Sequence, residues 1–522
     1  MVCGAQHTAG ARMTDLALAA AAAAVLTTAM FLSRAREGMP GPDEGYVWYG
    51  TLRTLAGEVP IRDFRSYEPG RYYWCALWML ALDRGVVALR FASHAFYFLG
   101  LTGGLLALRL GEVGWPATLT AGVVLAAWGL EPYKLFEPAL ASIAVLAGVV
   151  LITHPGYAAI AAAGAVAGAF SFFGVNYAVY AGAALLGLAL LEALKSASVT
   201  SLLAVGAYSA GALLGALPLL AMFACSRRML DTFLERRVRA VVARRTTNLP
   251  RPVPWPWREA PAAIHMLGPV GRRFIGIYFL LLPAFALSVA IWAAVVSWPR
   301  IQAHAAVVSA AAVCAFTMHH AFSRADLKHL AQSMSPLVLG LVALAGRGLG
   351  WVAVAVILGV GTTVTVLAVH PRIDRFRRPD AYVRRVIAGS SLWIATSSAT
   401  LLDTLRPVVR AHLSPDEPML AVPTLAHLLP IFGQRSAAYD TYCVYPASER
   451  EQQRMLRSIE DESVRLALVS DHPVDGRDDL RFSRTHPLVW TYLSAEFERL
   501  ELPGLPRSFH VLRNEDRARA SL

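Results

Sequence analysis

"GPDEGYVWYGTLRTLAGEVPIRDFRSYEPGRYYW" occupies residues 41–74. Two adjacent carboxylates, Asp43 and Glu44, open it; arginines, tyrosines and a Pro69-Gly70 pair follow. It comes directly after the first long apolar run, residues 14–33. Within it, "EGYVWYGTLRTLAGEV" sets Tyr46, Tyr49, Leu52 and Leu55 at helical spacing and ends at Gly57, the pattern of an amphipathic helix. Tyrosine and tryptophan favour the membrane–water interface, so this helix is expected to lie in that plane. Pro69-Gly70 breaks the chain, and "RYYWCALWMLAL" at 71–82 starts a second interfacial helix. Asp43 and Glu44 suit the positive N-terminal dipole of the first. Two roles are therefore open to them, helix capping and chemistry.

Outward from this segment the chain is apolar. It has 522 residues, 56% of them hydrophobic and 16% charged, with a mean hydropathy of +0.47. A soluble domain carries about 25% charged residues. The apolar residues gather into runs close to the ~20 residues that cross a bilayer. Spans are expected at 14–33, 86–108, 115–131, 138–153, 157–173, 176–194, 200–224, 274–297, 302–320, 333–347 and 351–370. The fold class is thus an all-α polytopic membrane bundle of about 11 transmembrane helices. The first run is long for a signal-peptide core and has no clean small-x-small cleavage site, so it is read as a retained span. Arg12, and Arg109, Lys195, Arg300 and Arg347 in short loops after even-numbered spans, favour a cytoplasmic N-terminus. An odd span count then places the C-terminus outside, together with the polar segments 34–85, 131–138, 225–273 and 319–330.

After residue 370 the composition turns soluble. "MLAVPT" at 419–424, "RLALVS" at 465–470 and "SFHVLR" at 508–513 read as short buried strands. "SERE" at 448–451 is a capping-box pattern opening a helix through about 460, and a further helix fits 486–500. Two domains are expected: 1–370, a transmembrane domain with a first external loop at 34–85, and 371–522, a small α/β extracytoplasmic domain.

The net charge of +12 lies beside apolar spans and in the 226–273 loop, and Lys134, Lys195 and Lys328 are the only lysines. No nucleic-acid motif accompanies it, so no nucleic-acid partner is expected. The five cysteines show no metal-ligand spacing, and His319-His320 lacks a carboxylate at ligand distance in sequence; no metal or cofactor is expected. Whether Cys225 and Cys443 pair is left open.

The polar residues expected on the outer face are of few kinds. They include the carboxylates Asp43, Glu44, Glu68, Glu131, Glu137 and Asp326, the cations Arg71, Lys134, Arg324 and Lys328, and tyrosines such as Tyr72. A carboxylate at a membrane surface can act as general base on a hydroxyl. Clustered cations can neutralise a phosphate leaving group without a metal. Together these needs describe glycosyl transfer from a lipid-linked sugar phosphate.

The first span, then "PDEGYVWYGTLRTLAGEVPIRDF", then "YEPGRYYW" resembles the opening of the type C membrane glycosyltransferases. That group includes protein O-mannosyltransferases, the aminoarabinose transferase of lipid A and many bacterial relatives. The likeness continues loosely through "EPYKLFEP" and "SRADLKHL". It implies a polyprenyl-phosphate sugar as co-substrate, a glycan, lipid or protein acceptor, and action outside the bacterial inner membrane. It also implies that Asp43 is the base and Glu44 its acidic neighbour. Where the family often has a basic residue before Pro-Pro, this chain has Glu68 before Pro69-Gly70. The phosphate would then fall to Arg71, Lys134 or Arg324, with Tyr72, Asp326 and His329 as further substrate contacts. For "SRADLKHL" an ion pair within the loop competes with substrate contact, and for Lys134 interfacial snorkelling does. The competing functions are a transporter or flippase of an envelope lipid or glycan, and a non-catalytic partner subunit. A transporter should carry charges inside its spans or paired broken helices, and few such charges and no internal repeat are visible.

Overall fold

The computed structural model describes residues 9–196, 199–244, 246–258, 267–348 and 350–514. Among the described residues nine helices are long and apolar enough to cross a membrane. They are Arg12–Arg34, Val86–Leu110, Pro132–Thr153, Val175–Lys195, Ser201–Cys225, Pro269–Val295, Ala305–Ser323, Leu327–Ala345 and Trp351–Val369. Two shorter apolar helices, Trp115–Trp128 and Tyr157–Phe173, stand at the third and fifth expected spans. These two are cut short by their C-cap glycines, Gly129 and Gly174. The chain is a multi-pass helical membrane protein with a small C-terminal sheet domain.

By internal contacts it forms two compact units, Met1–Arg34 with Phe91–Asp374, and Ala35–Arg90 with Arg375–Leu522. The first loop thus folds with the C-terminal domain.

In the first unit, helices Tyr157–Phe173 and Ser201–Cys225 meet backbone to backbone. A Cβ at Gly164 or Gly168 would stand 2.1 or 2.0 Å from the carbonyl oxygens of Tyr208 and Ala212, and Gly211 and Gly215 are equally tight from the other side. This is the small-xxx-small packing of membrane helices, where lipid offers no hydrophobic drive and close contact supplies the attraction. Hydroxyls that would be costly in hydrocarbon find carbonyls on neighbouring helices: Tyr97 donates to Leu125 O (2.8 Å), Ser309 to Val145 O (2.7 Å) and Tyr177 to Gln332 O (3.1 Å). The proline-rich stretch at 248–258 is not helical. Pro254 and Pro256 lie against Gly276, and Trp255 and Trp257 stack in parallel at 5.6 Å. The rest of that stretch, 259–261, lies outside the described residues.

The second unit contains a hairpin, β1 (Tyr382–Ile387) with β2 (Ser390–Ala395), and a five-stranded sheet. The sheet strands are β3 (Pro418–Val422), β4 (Arg435–Ser436), β5 (Leu466–Ser470), β6 (Glu498–Leu500) and β7 (Phe509–Arg513), in the order β4-β3-β5-β7-β6. β3 runs parallel to β4 and β5, and β7 antiparallel to β5 and β6. The three strands expected from sequence are β3, β5 and β7, at the centre of the sheet. Leu420, Val422, Ala467, Val469 and Leu512 pack there against Met455, Ile459, Phe482, Val489 and Leu493. Helix Glu449–Asp461 opens on the expected capping box, with Ser448 N donating to Glu451 Oε2 at 2.9 Å. The helix expected at 486–500 is Pro487–Glu496, because the chain turns extended at Phe497 into β6. Neither Cys225 nor Cys443 forms a disulfide among the described residues.

The first loop forms two helices, Pro42–Leu55 and Pro69–Ala81, each with proline in its first position, where the missing N–H costs nothing. They pack through Gly50, where a Cβ would stand 2.5 Å from Tyr72 Cε1. Residues Glu44–Thr51 are buried by protein. Tyr46 sits edge-on to Tyr67 at 5.4 Å and tilted against Tyr442 at 5.2 Å, and Tyr49 Oη accepts from Ser436 N. The tyrosine face expected in the membrane interface is therefore covered by the chain's own C-terminal domain. That domain supplies one of the two rings, Tyr442, and the hydrogen-bond partner of Tyr49.

Gly45 lies against His427, leaving no room for a side chain: a Cβ there would be 2.3 Å from His427 Cβ. Burial pushes the His427 imidazole down to about 4. An unfolded histidine titrates near ~6.5. The neutral ring is the one that packs, so its contribution is complete above pH ~6.5 and is lost as the pH falls toward 4. At pH 5 the loss should be about 2 kcal/mol. Thermal unfolding at pH 7.5 and 5.0 should show a drop in Tm for the wild type that is smaller in His427→Leu. An equal drop in both would show that this ring does not control acid stability.

Candidate active site

Asp43 and Glu44 occupy the first turn of helix Pro42–Leu55, yet neither caps it. The N-cap is Gly41, with no side-chain cap bond. Each carboxylate has been drawn to a different partner. Glu44 is buried and takes a two-pronged ion pair from Arg90, Nε to Oε1 at 2.8 Å and Nη2 to Oε2 at 2.7 Å. The same guanidinium donates to Ala35 O and Glu37 O at 3.0 Å and to Gly38 O at 3.2 Å. Glu44 thus has a structural task. Asp43 is half-buried and its Oδ1 accepts from the Tyr442 hydroxyl. Of the two, Asp43 is the more exposed.

The second helix of the loop begins at Glu68, its buried N-cap, which makes no cap bond. Arg71 is buried with its guanidinium carbon 5.3 Å from the Tyr67 ring centre. Tyr72 is fully buried; its hydroxyl accepts from Tyr67 N at 3.1 Å and its ring meets Phe64 edge-on at 5.7 Å. Glu68, Arg71 and Tyr72 thus lie on the first turn of this helix, with Arg71 and Tyr72 both in contact with Tyr67. Nearby, Arg65 pairs with Asp440. Burial alone would push that guanidinium down, but the Asp440 carboxylate outweighs it and holds it above its ordinary value.

The other expected site residues belong to the first unit. Lys134 closes the 3-10 turn Pro132–Lys134, its ammonium 5.6 Å from the Tyr133 ring, and it has no ion-pair partner among the described residues. It lines a small pocket with Trp128, Glu131, Lys328 and Gln332, in which Lys328 pairs with Glu131 at 2.9 Å. In "SRADLKHL", Asp326 is the N-cap of helix Leu327–Ala345. It accepts from His329 N (3.0 Å), His329 Nδ1 (2.8 Å) and Arg324 Nε (2.8 Å), and Arg324 also reaches Leu249 O at 3.3 Å. Burial would raise the Asp326 carboxyl, but these donors win and hold it well below the usual carboxylate range. The ion pair within this loop, one of the two readings of the sequence, is therefore present. Among the described residues no group of three His, Cys, Asp or Glu is placed to hold a metal ion.

Three residues were not singled out in the sequence. Arg34, at the end of the first helix, is only 4% exposed, and its Nε and Nη1 meet no partner among the described residues; Glu131 and Tyr97 are close enough to act on its charge. Arg90 stands inside an apolar run, and an intramembrane arginine is itself a signal. Tyr442 lies 399 positions from Asp43 and carries no local signal.

No protein-family model matches the chain, and no curated protein does. Solved structures do. The chain is similar to ArnT from Cupriavidus metallidurans in the apo state, with a TM-score of 0.54 and 14% identity over 96% of this chain and 98% of that one. It is similar to ArnT bound to undecaprenyl phosphate with a TM-score of 0.50 and 14% identity over 95% and 97%. The chain shares the fold of ArnT over nearly its whole length.

Proposed function

We propose that this chain is a membrane glycosyltransferase that moves a sugar from a polyprenyl-phosphate donor to an acceptor hydroxyl in cell-envelope assembly. The observation that carries the reading is the end-to-end likeness to ArnT, one structure of which holds undecaprenyl phosphate. In this reading the membrane is a bacterial inner membrane, with the first loop and the C-terminal domain outside. The short-loop arginines of the sequence support that orientation.

Asp43 is the general base. It accepts the acceptor's proton as the hydroxyl oxygen attacks the anomeric carbon. The bond from that carbon to the phosphate oxygen breaks in the same displacement, inverting the carbon and leaving the lipid phosphate. Lys134, which has no carboxylate partner among the described residues, meets the phosphate, and Arg34 adds a second cation in the same unit. No metal is invoked, and the sugar is a pentose or a hexose.

Two measurements test this. Purified protein should transfer sugar from a panel of undecaprenyl-phosphate pentoses and hexoses. Asp43→Asn keeps the shape and hydrogen-bond acceptance of the side chain but removes its basicity. It should lower turnover by about 10²–10⁴-fold while undecaprenyl phosphate still binds. An Asp43→Asn protein with normal turnover would remove this residue as the base.

Lys134→Ala should weaken undecaprenyl phosphate binding by about 2–3 kcal/mol, the cost of removing a charged partner. Lys195, which donates to Ala294 O and Val296 O, is the control. Titration of the lipid against both variants decides the matter, and equal affinities would exclude Lys134 from the phosphate site.

A further inference from the structure

The segment that follows β4 runs from Ala437 to the cap of helix Glu449–Asp461, and it lies along the first loop. Tyr439 Oη donates to Ile61 O at 2.6 Å, and Arg65 N donates to Tyr439 O at 2.9 Å. Asp440 pairs with Arg65 and its Oδ1 accepts from Tyr442 N at 2.9 Å. All of these contacts fix backbone or join groups that take no part in the proposed reaction. The exception is Tyr442, whose hydroxyl reaches Asp43 Oδ1 while its ring lies against Tyr46.

We propose that the C-terminal domain supplies a positioning residue for the reaction: Tyr442 fixes the orientation of the Asp43 carboxylate. The inference rests on Asp43 being the general base. A carboxylate on the first turn of a helix turns about two side-chain bonds, and a base is effective only within a narrow range of positions around the proton it takes. The Tyr442 hydroxyl holds one oxygen. The ring is held by Tyr46, and the backbone N–H by Asp440, which is itself fixed by Arg65. The chain of contacts Arg65–Asp440–Tyr442–Asp43 begins and ends in the first loop and passes through the C-terminal domain. That domain therefore belongs to the catalytic apparatus.

The test compares Tyr442→Phe with Tyr439→Phe, using the undecaprenyl-phosphate sugar that supports turnover. Phenylalanine keeps the ring contact with Tyr46 and removes only the hydroxyl. Tyr442→Phe should lower kcat roughly 10- to 100-fold with the donor KM nearly unchanged. Tyr439→Phe, which breaks the bond to Ile61 O, should lower Tm and leave kcat per folded molecule near wild type. Undecaprenyl phosphate binding counts the folded molecules in each preparation. In an Asp43→Asn background Tyr442→Phe should cause no further loss. If Asp43→Asn is inactive and Tyr442→Phe keeps the wild-type kcat, the positioning role is wrong and the base assignment stands. If Asp43→Asn is fully active, both fall. If Tyr442→Phe and Tyr439→Phe differ from wild type only in Tm, Tyr442 is a structural contact and the proposal is overturned.

Discussion

One buried guanidinium organises the first loop. Arg90 holds both oxygens of Glu44 and three backbone carbonyls between Ala35 and Gly38. Its donors are spent on groups that would otherwise be buried without partners. Such a pair gives little net stability over an apolar replacement, but removing one partner costs about 3–5 kcal/mol, because the other charge is left buried alone. What it provides is geometry. The strap from 35 to 38 is tied to the start of helix Pro42–Leu55, and Asp43, the neighbour of Glu44, is held with it.

Two adjacent carboxylates thus acquire different tasks from their surroundings. Glu44 points into protein and meets a fixed cation. Asp43 remains half-buried and meets the Tyr442 hydroxyl, which orients the carboxylate. Division of labour between paired acids by environment is a recurring device in catalysis. The first unit repeats the theme with cations. Arg324 is committed to Asp326 and Lys328 to Glu131, whereas Lys134 has no such commitment among the described residues.

Much of this fold was legible because the bilayer imposes a simple rule. Each apolar run of the sequence corresponds to a helix, and the two that fall short end at glycines. The central strands β3, β5 and β7 were legible as apolar runs, and the capping box at Ser448 as a local pattern. What escaped was long-range or locally misleading. β1 reads "YVRRVI", and its arginines point outward on a hairpin with no apolar alternation to announce it. Tyr46 and Tyr49 have the composition of an interfacial helix, and nothing local says that a segment near residue 440 covers them. The two readings of "SRADLKHL" could not be separated until Asp326 was seen as a cap between Arg324 and His329. Asp43 was legible as a candidate, but the residue that orients it was not.

The central claim is that the charge of Glu44 serves the fold and the charge of Asp43 serves the reaction. The most direct measurement is turnover per folded molecule in the double variant Glu44→Met, Arg90→Met, which replaces the whole ion pair with apolar side chains. The account predicts a protein more stable than either single variant, with turnover lowered by the loosened strap but well above that of Asp43→Asn. Turnover falling as far as that of an enzyme deprived of its base, in a protein that remains folded and binds undecaprenyl phosphate, would contradict it.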